Sequence, residues 1–326
     1  MSGDLSSAPA ILAKGPGPTV AIVNPMAQSG AAGDNWAQIR DALRVRLGGL
    51  RTRYTEGPGH AALLCREALE AGAQTILSVG GDGTCNEVLG GFVDPEDGHN
   101  RFPEATLAVL AAGTGGDFQR MFGRARLVRQ VDRLCAAETR SVDYGVARFV
   151  DDDGRPRLRP FLNVASVGVS GEVVRQVNAS NAQLGATAKY LLGTFQGIAR
   201  WRNVQVEIQR DDEPARRVDL TLGIVANGQY FGAGMWVAPR AEIDDGQFDC
   251  VEVTGMSKRT LIATLAKVFE GRHLRVRGVE HSHGQKVSMR PVWAEAEVPV
   301  ELDGETVGRL PASFELRAGS LRLRVG

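Results

Sequence analysis

The chain has 326 residues, 43% hydrophobic and 23% charged, which is enough for two domains of ordinary size with a real core. Lys plus Arg equals Asp plus Glu, 38 against 38, so no global basic field recruits nucleic acid and any membrane attraction must be local. Cys65, Cys85, Cys135 and Cys250 are scattered, with no CxxC pair and no His at zinc spacing, which excludes a disulfide framework and reads as reduced, intracellular thiols.

Residues 1–18, rich in Gly, Ala, Ser and Pro, lack the basic start and apolar run of a signal peptide and read as a mobile leader. Thr19 to Val23 is a buried-strand signature that ends in Asn24-Pro25 and a small-residue loop through Gly33. Trp36, Ile39, Leu43 and Leu47 follow at helical spacing and Gly48-Gly49 stops them; Ala61 to Ala71 is a second helix. Thr75 to Val79 and Leu107 to Ala111 are further buried strands, each running into glycines. This alternation predicts an N-terminal, doubly wound α/β domain over 19–143, with a parallel sheet and ligands at the carboxyl ends of its strands.

The second half changes pattern after Asp143, where Asp151-Asp152-Asp153-Gly154 marks the boundary region. Strands are expected at Arg159 to Ser166, Val204 to Gln209, Val218 to Ala226, Phe248 to Val253, Lys286 to Met289, Val298 to Leu302 and Leu321 to Val325. Several alternate apolar and polar side chains, which suits a mainly antiparallel β-sandwich over 144–326. Helical inserts are expected at Gly171 to Arg202 and Lys258 to Gly271, and the C-terminal tail can return to the first domain. No 18-residue stretch is apolar throughout, so no transmembrane helix is expected.

The strongest chemical signal is Ser78-Val79-Gly80-Gly81-Asp82-Gly83-Thr84-Cys85-Asn86-Glu87-Val88. Glycines between a buried strand and a helix let backbone N–H groups approach a polyphosphate, and the helix N-terminus favours its charge. Asp82 can engage Mg²⁺ or the proton of an attacking hydroxyl. Ala111-Ala112-Gly113-Thr114-Gly115-Gly116-Asp117-Phe118 is a second such loop, facing the first across a cleft. No GxxxxGK[ST] run, HRD loop or GxGxxG after a strand is present, which excludes P-loop, protein-kinase and dinucleotide-binding readings.

With these motifs the chain resembles the diacylglycerol kinase catalytic-domain family, which includes bacterial soluble lipid kinases and the related sphingosine and ceramide kinases. The resemblance runs from Asn24 to about Arg324. It is carried by Asn24-Pro25 with Ser29-Gly30, by Thr55 before Gly59-His60-Ala61, and by the two glycine loops. Further matches are Asn163 to Gly168, Ala241 to Asp249 and Leu302-Asp303-Gly304-Glu305. It implies that ATP lies between the domains, held by Asn24, Pro25, Thr55, Gly80, Gly81, Asp82, Gly83, Thr84, Asn86, Gly113, Thr114 and Asp117. It implies Glu305 as the base that deprotonates the lipid hydroxyl, with Asp82 as the second carboxylate. It also implies a structural Mg²⁺ bound by the carbonyls of Glu242 and Gln247 and the carboxylate of Asp245.

Two positions depart from the family. Gly116 stands where the second loop usually has Asn, which removes a side-chain amide. Ser170 stands where sphingosine kinases carry an Asp, which tilts the reading away from free sphingosine; diacylglycerol leads, with ceramide, another sphingoid base and phosphatidylglycerol as alternatives. Tyr190, Leu191, Phe195 and Ile198 form an apolar stripe that either packs into the second domain or lines an acyl-chain pocket and touches the bilayer. The arginines at 120, 124, 126, 129 and 133 read as a solvated face, and His60, His99, His273, His281 and His283 as surface residues. The expected setting is cytoplasmic, with peripheral contact at the inner face of the membrane; a homodimer is compatible with it. A kinase of a soluble substrate, such as NAD kinase, and a non-catalytic lipid-binding module are the rival readings.

Overall fold

The computed structural model describes residues 18–27, 31–47, 49–111, 116–123, 127–179 and 186–325. The leader before Pro18, Ser29-Gly30, Ala112 to Gly115 of the second loop (with Gly113 and Thr114), Arg124 and Arg126 lie outside the described residues.

The first half is built from β1 (Thr19–Val23), α1 (Ala31–Arg46), β2 (Leu50–Tyr54), α2 (His60–Glu70), β3 (Thr75–Gly80), α3 (Asp82–Phe92), β4 (Thr106–Ala111), α4 (Asp117–Arg120) and α5 (Leu127–Ala136). β2, β1, β3 and β4 are parallel neighbours in that order. Side chains alternate across a strand, so one strand can feed two cores. Val20 and Ile22 of β1 join Cys65 of α2 and Leu89 of α3 on one face. Ala21 and Val23 join Trp36 and Leu43 of α1 and Leu134 of α5 on the other. This is the doubly wound arrangement.

The second half contains β5 (Arg140–Val150), β6 (Pro156–Phe161), β7 (Val164–Gly168), α6 (Val169–Ala179), α7 (Ala186–Arg200), β8 (Val204–Arg210), β9 (Arg216–Ala226), β10 (Tyr230–Phe231) and β11 (Met235–Trp236). β12 (Phe248–Thr254), α8 (Lys258–Phe269), β13 (Val279–Gly284), β14 (Lys286–Pro291), β15 (Pro299–Leu302) and β16 (Glu305–Val325) complete it. The 21-residue β16 joins the halves. Its start pairs with β15 and its middle with β5 and β14, all antiparallel; its end, Arg322 to Val325, runs parallel to β4. The tail therefore returns to the first sheet, and the expected boundary at Asp143 falls inside β5, which runs along β16.

Folding the antiparallel strands over one another closes a core around Phe161. Its ring stacks on Phe248 at 5.6 Å and meets Phe314 edge-on at 6.3 Å. Gly145, its partner in β5, leaves the space that the ring fills: a Cβ there would lie 2.1 Å from it. Phe161→Ala should cost about 3–5 kcal/mol of stability. A fall in the urea midpoint at unchanged m-value checks this, and a loss below about 1 kcal/mol would show that the aromatic cluster is not the centre of this core.

Candidate active site

The parallel strands end on one edge in register, which sets the predicted nucleotide residues in a row. Val23 lies opposite both Tyr54 and Val79, so Asn24, Thr55 and Gly80 come next at the same level. The Asn24 backbone N–H donates to Val79 O (3.0 Å), and that of Thr55 donates to Val23 O (2.9 Å). Asn24 Nδ2 donates to Thr84 Oγ1 at 3.3 Å, while Pro25 backs onto Gly33 of α1. Gly80 is required by close approach: a Cβ there would lie 2.5 Å from Thr84 Oγ1. Gly81 faces open space, and no side chain caps the N-terminus of α3. Uncapped amides behind an open glycine form an anion cradle.

Asp82, the first residue of α3, does not point into that cradle alone. Its carboxylate accepts from the backbone N–H groups of Asp117 (2.7 Å) and Phe118 (3.3 Å), clamping the first loop to α4. Burial pushes its pKa up to about 7, against the lowering pull of those two amides. Asp117 continues the chain of contacts. It accepts from Arg120 Nε at 2.8 Å and from the backbone of Ala233 at 2.9 Å, in the turn between β10 and β11. Arg120 is thus the half-buried partner of Asp117 and not part of a solvated face.

Asn86 also takes a different part from the one expected of it. Its amide donates to Pro160 O (3.0 Å) and Asp303 Oδ2 (2.8 Å) and accepts from Arg159 Nε (3.0 Å), so it binds the second half of the chain. Asp303 and Gly304 form the turn between β15 and β16 with positive φ at both residues, the geometry of a type I′ hairpin. The Asp303 carboxylate turns inward. It accepts from the backbone N–H groups of Leu162 (2.9 Å), Asn163 (3.0 Å) and Val164 (2.9 Å) as well as from Asn86. Burial raises its pKa and these four donors pull it back.

Glu305, two residues on, turns the other way. Its carboxylate receives Arg159 Nη2 at 2.7 Å, and a Cβ on Gly83 would lie 3.2 Å from Glu305 Oε1. The expected base therefore lies against the first glycine loop, 46% exposed. The Glu242 to Gln247 turn is elsewhere. Asp245 Oδ1 accepts from the backbone of Gln247 (3.0 Å), and the turn is held by buried Asp143, which accepts from Gly246 (2.8 Å) and Gly319 (2.6 Å). Asp143, Arg159 and Asp303 as a structural acid were not singled out from the sequence. Arg159 sits among three arginines in alternation at 155, 157 and 159, a pattern that looks like a solvated strand.

A partly open, almost wholly apolar cavity of about 80 Å³ lies between the second-half sheet and helices α6, α7 and α8. Val173, Ile198, Phe231 and Leu265 are among its walls, and Ser170, Tyr190 and Thr194 bring hydroxyls to it. The stripe on α7 is split. Tyr190 and Ile198 face this cavity, whereas Leu192 and Phe195 are exposed. Trp201 packs against the inner clusters and is not a surface residue. Ser166 Oγ lies 2.8 Å from Ser170 Oγ and 3.0 Å from Glu301 Oε2, which connects the cavity to β15 and so to the turn that carries Glu305.

Residues 18–147 match the diacylglycerol kinase catalytic domain, and residues 163–325 match the YegS C-terminal NAD kinase beta sandwich-like domain. A diacylglycerol kinase of Bacillus subtilis is 30% identical over 264 residues, covering 81% of each chain. A Pseudomonas aeruginosa protein named "Probable lipid kinase YegS-like" is 29% identical over 283 residues, 85% of this chain and 84% of its own. The crystal structure of a diacylglycerol kinase from Bacillus anthracis shares the fold, with a TM-score of 0.71 at 23% identity over 95% of this chain and 97% of that one.

Glu301 gives this region a pH signature. It is fully buried, and burial pushes its pKa up to about 7 against the hydrogen bonds of Ser166 and Ser170. A carboxyl raised in the fold stabilises fully below its unfolded pKa, and that contribution is lost as pH rises through the folded value. Between pH 4.5 and 8 the wild type should lose on the order of 2–3 kcal/mol relative to Glu301→Gln. Parallel stability curves for the two proteins across this window would show that folding leaves the pKa of Glu301 unraised.

Proposed function

The chain belongs to the diacylglycerol kinase catalytic-domain family and is a lipid kinase, and from that premise we propose that it transfers the γ-phosphoryl group of ATP to the hydroxyl of diacylglycerol. The observation that carries the substrate class is the match along both halves to lipid kinases; the apolar cavity under α6, α7 and α8, about 80 Å³, agrees with it as a place for one short apolar segment of the lipid. Its polar end, at Ser170, leads through Ser166 and Glu301 to the turn of Asp303 and Glu305. Among the described residues no helix is long and apolar enough to cross a membrane, so the lipid is met from the water side. Exposed Leu192 and Phe195 on α7, with Ile262 and Phe269 on α8, supply the apolar surface for weak, reversible docking at the bilayer.

In this reading the cradle at Gly81 and the α3 N-terminus holds the triphosphate, with Asn24, Thr55 and Thr84 at its rim. The amides there suit the phosphates, and hard oxygens suit the Mg²⁺ travelling with ATP; Asp82 is the loop's carboxylate for it, and the bound ion would neutralise phosphate charge. Phosphoryl transfer needs positioning and charge neutralisation more than covalent help. Glu305, steadied by Arg159 against Gly83, accepts the proton of the lipid hydroxyl. Asp82 keeps the two loops in register, so Asp82→Asn is expected to lose both activity and fold stability.

Labelled ATP supplied with diacylglycerol, ceramide, phosphatidylglycerol or NAD should mark phosphatidic acid; label appearing on NAD alone would end the lipid reading. Glu305→Gln should lower kcat by about 10²–10⁴-fold with little change in the KM for ATP. A raised KM at unchanged kcat would move Glu305 to the nucleotide site. Leu192→Ser with Phe195→Ser should reduce activity on vesicles far more than on a short-chain, water-soluble diacylglycerol. Equal losses on the two substrates would show that this surface does not dock.

A further inference from the structure

We propose that Asp249, His281 and His283 form a binding site for a divalent transition-metal ion of the zinc class. The three residues are brought together by two neighbouring antiparallel strands. Asp249 of β12 lies directly opposite His283 of β13, and His281 is two residues before His283, so all three project from the same face. Their ligating atoms fall within 4.8 Å of one another. His281 Nε2 stands 2.5 Å from Asp249 Oδ1 and His283 Nε2 stands 3.7 Å from Asp249 Oδ2. Two ligands at zinc bond lengths and a tetrahedral angle lie about 3.4 Å apart, a spacing bracketed by these distances. Small side-chain rotations therefore suffice, with no movement of the strands.

The donor set selects the ion. Two imidazole nitrogens and one carboxylate oxygen suit zinc and its neighbours, whereas Mg²⁺ and Ca²⁺ prefer oxygen alone. Two imidazoles are also more than an ion pair with one carboxylate requires. Asp249 is only 1% exposed, while His283 is 44% exposed, so the cluster has one buried anchor and one open side. The open side leaves room for water in the remaining position.

The placement suggests what the ion does. β13 is the edge strand of the large sheet, bonded on one side to β12. A metal shared by the two strands clips that edge. Val251 and Val253 of β12 and Val279 of β13, on the same face, are walls of the apolar cavity. The row His283–Asp249–Ala226–Val164 continues across four strands to the backbone N–H that Asp303 accepts. The clip thus stiffens the outer wall of the cavity and the sheet end on which the Asp303 turn rests. It contributes structure, away from the phosphate cradle.

The full-length protein, stripped with a chelator and dialysed, would be titrated calorimetrically with Zn²⁺ in the presence of excess Mg²⁺. One Zn²⁺ per chain is expected, with a rise in melting temperature. His283→Ala changes an exposed side chain and should fold normally, yet bind Zn²⁺ at least about 10–100-fold more weakly and lose the thermal shift. Glu280→Gln, an exposed neighbour on the same strand, should behave as wild type. Loading with Co²⁺ should give visible d–d absorption in the wild type and not in His283→Ala. Equal uptake by wild type and His283→Ala, or displacement of Zn²⁺ by Mg²⁺, would reduce the cluster to an ion pair and overturn the proposal.

Discussion

The arrangement of the whole site depends on one buried carboxylate, Asp303. Removing an isolated charge from water is expensive, and the cost is offset only when the group is well paired. Asp303 meets this with four donors, three of them consecutive backbone amides at Leu162, Asn163 and Val164. Those amides belong to the break between β6 and β7, so the acid also satisfies the groups that leaving a strand would orphan. The fourth donor, Asn86, sits on α3, just past the first glycine loop. One side chain therefore connects the helix that follows the first glycine loop with the sheet that borders the apolar cavity.

The same device recurs. Asp82 accepts from the first two amides of α4, Asp117 from the β10–β11 turn, and Asp143 from Gly246 and Gly319. In each case burial drives the acid's pKa up, and backbone donors hold part of the shift back. These acids link segments far apart in the chain, whereas the apolar clusters set only which faces meet. With β16 shared by both halves, the frame has little freedom for a wide hinge at the strands.

Much of this was legible from residues alone because the signals were local. Thr19 to Val23, Thr75 to Val79 and Leu107 to Leu110 are apolar runs buried on both faces, and the glycine loop after the second is a compact pattern. What escaped was set by distant partners. β2 is an exposed edge strand carrying Arg51 and Arg53, and β13 reads Glu280, His281, Ser282, His283; neither shows the apolar periodicity that marks a strand. The His281–His283 pair acquires a partner only because Asp249, 32 residues earlier, falls in register with it. Arg159 and Asn86 likewise have meaning only through contacts across the two halves.

The turn at Asp303-Gly304 shows how structure and chemistry come to share a few residues. A two-residue type I′ turn fixes the register of the strands it joins, here Leu302 opposite Glu305. Asp303 tolerates positive φ there because its short side chain is hydrogen-bonded close to the backbone. Once that carboxylate is buried, the tight turn through Gly304 starts β16 with Glu305 beside Gly83 and Arg159. The exposed acid cannot be moved without disturbing the buried one. The hairpin geometry is what aims the acid at the first glycine loop.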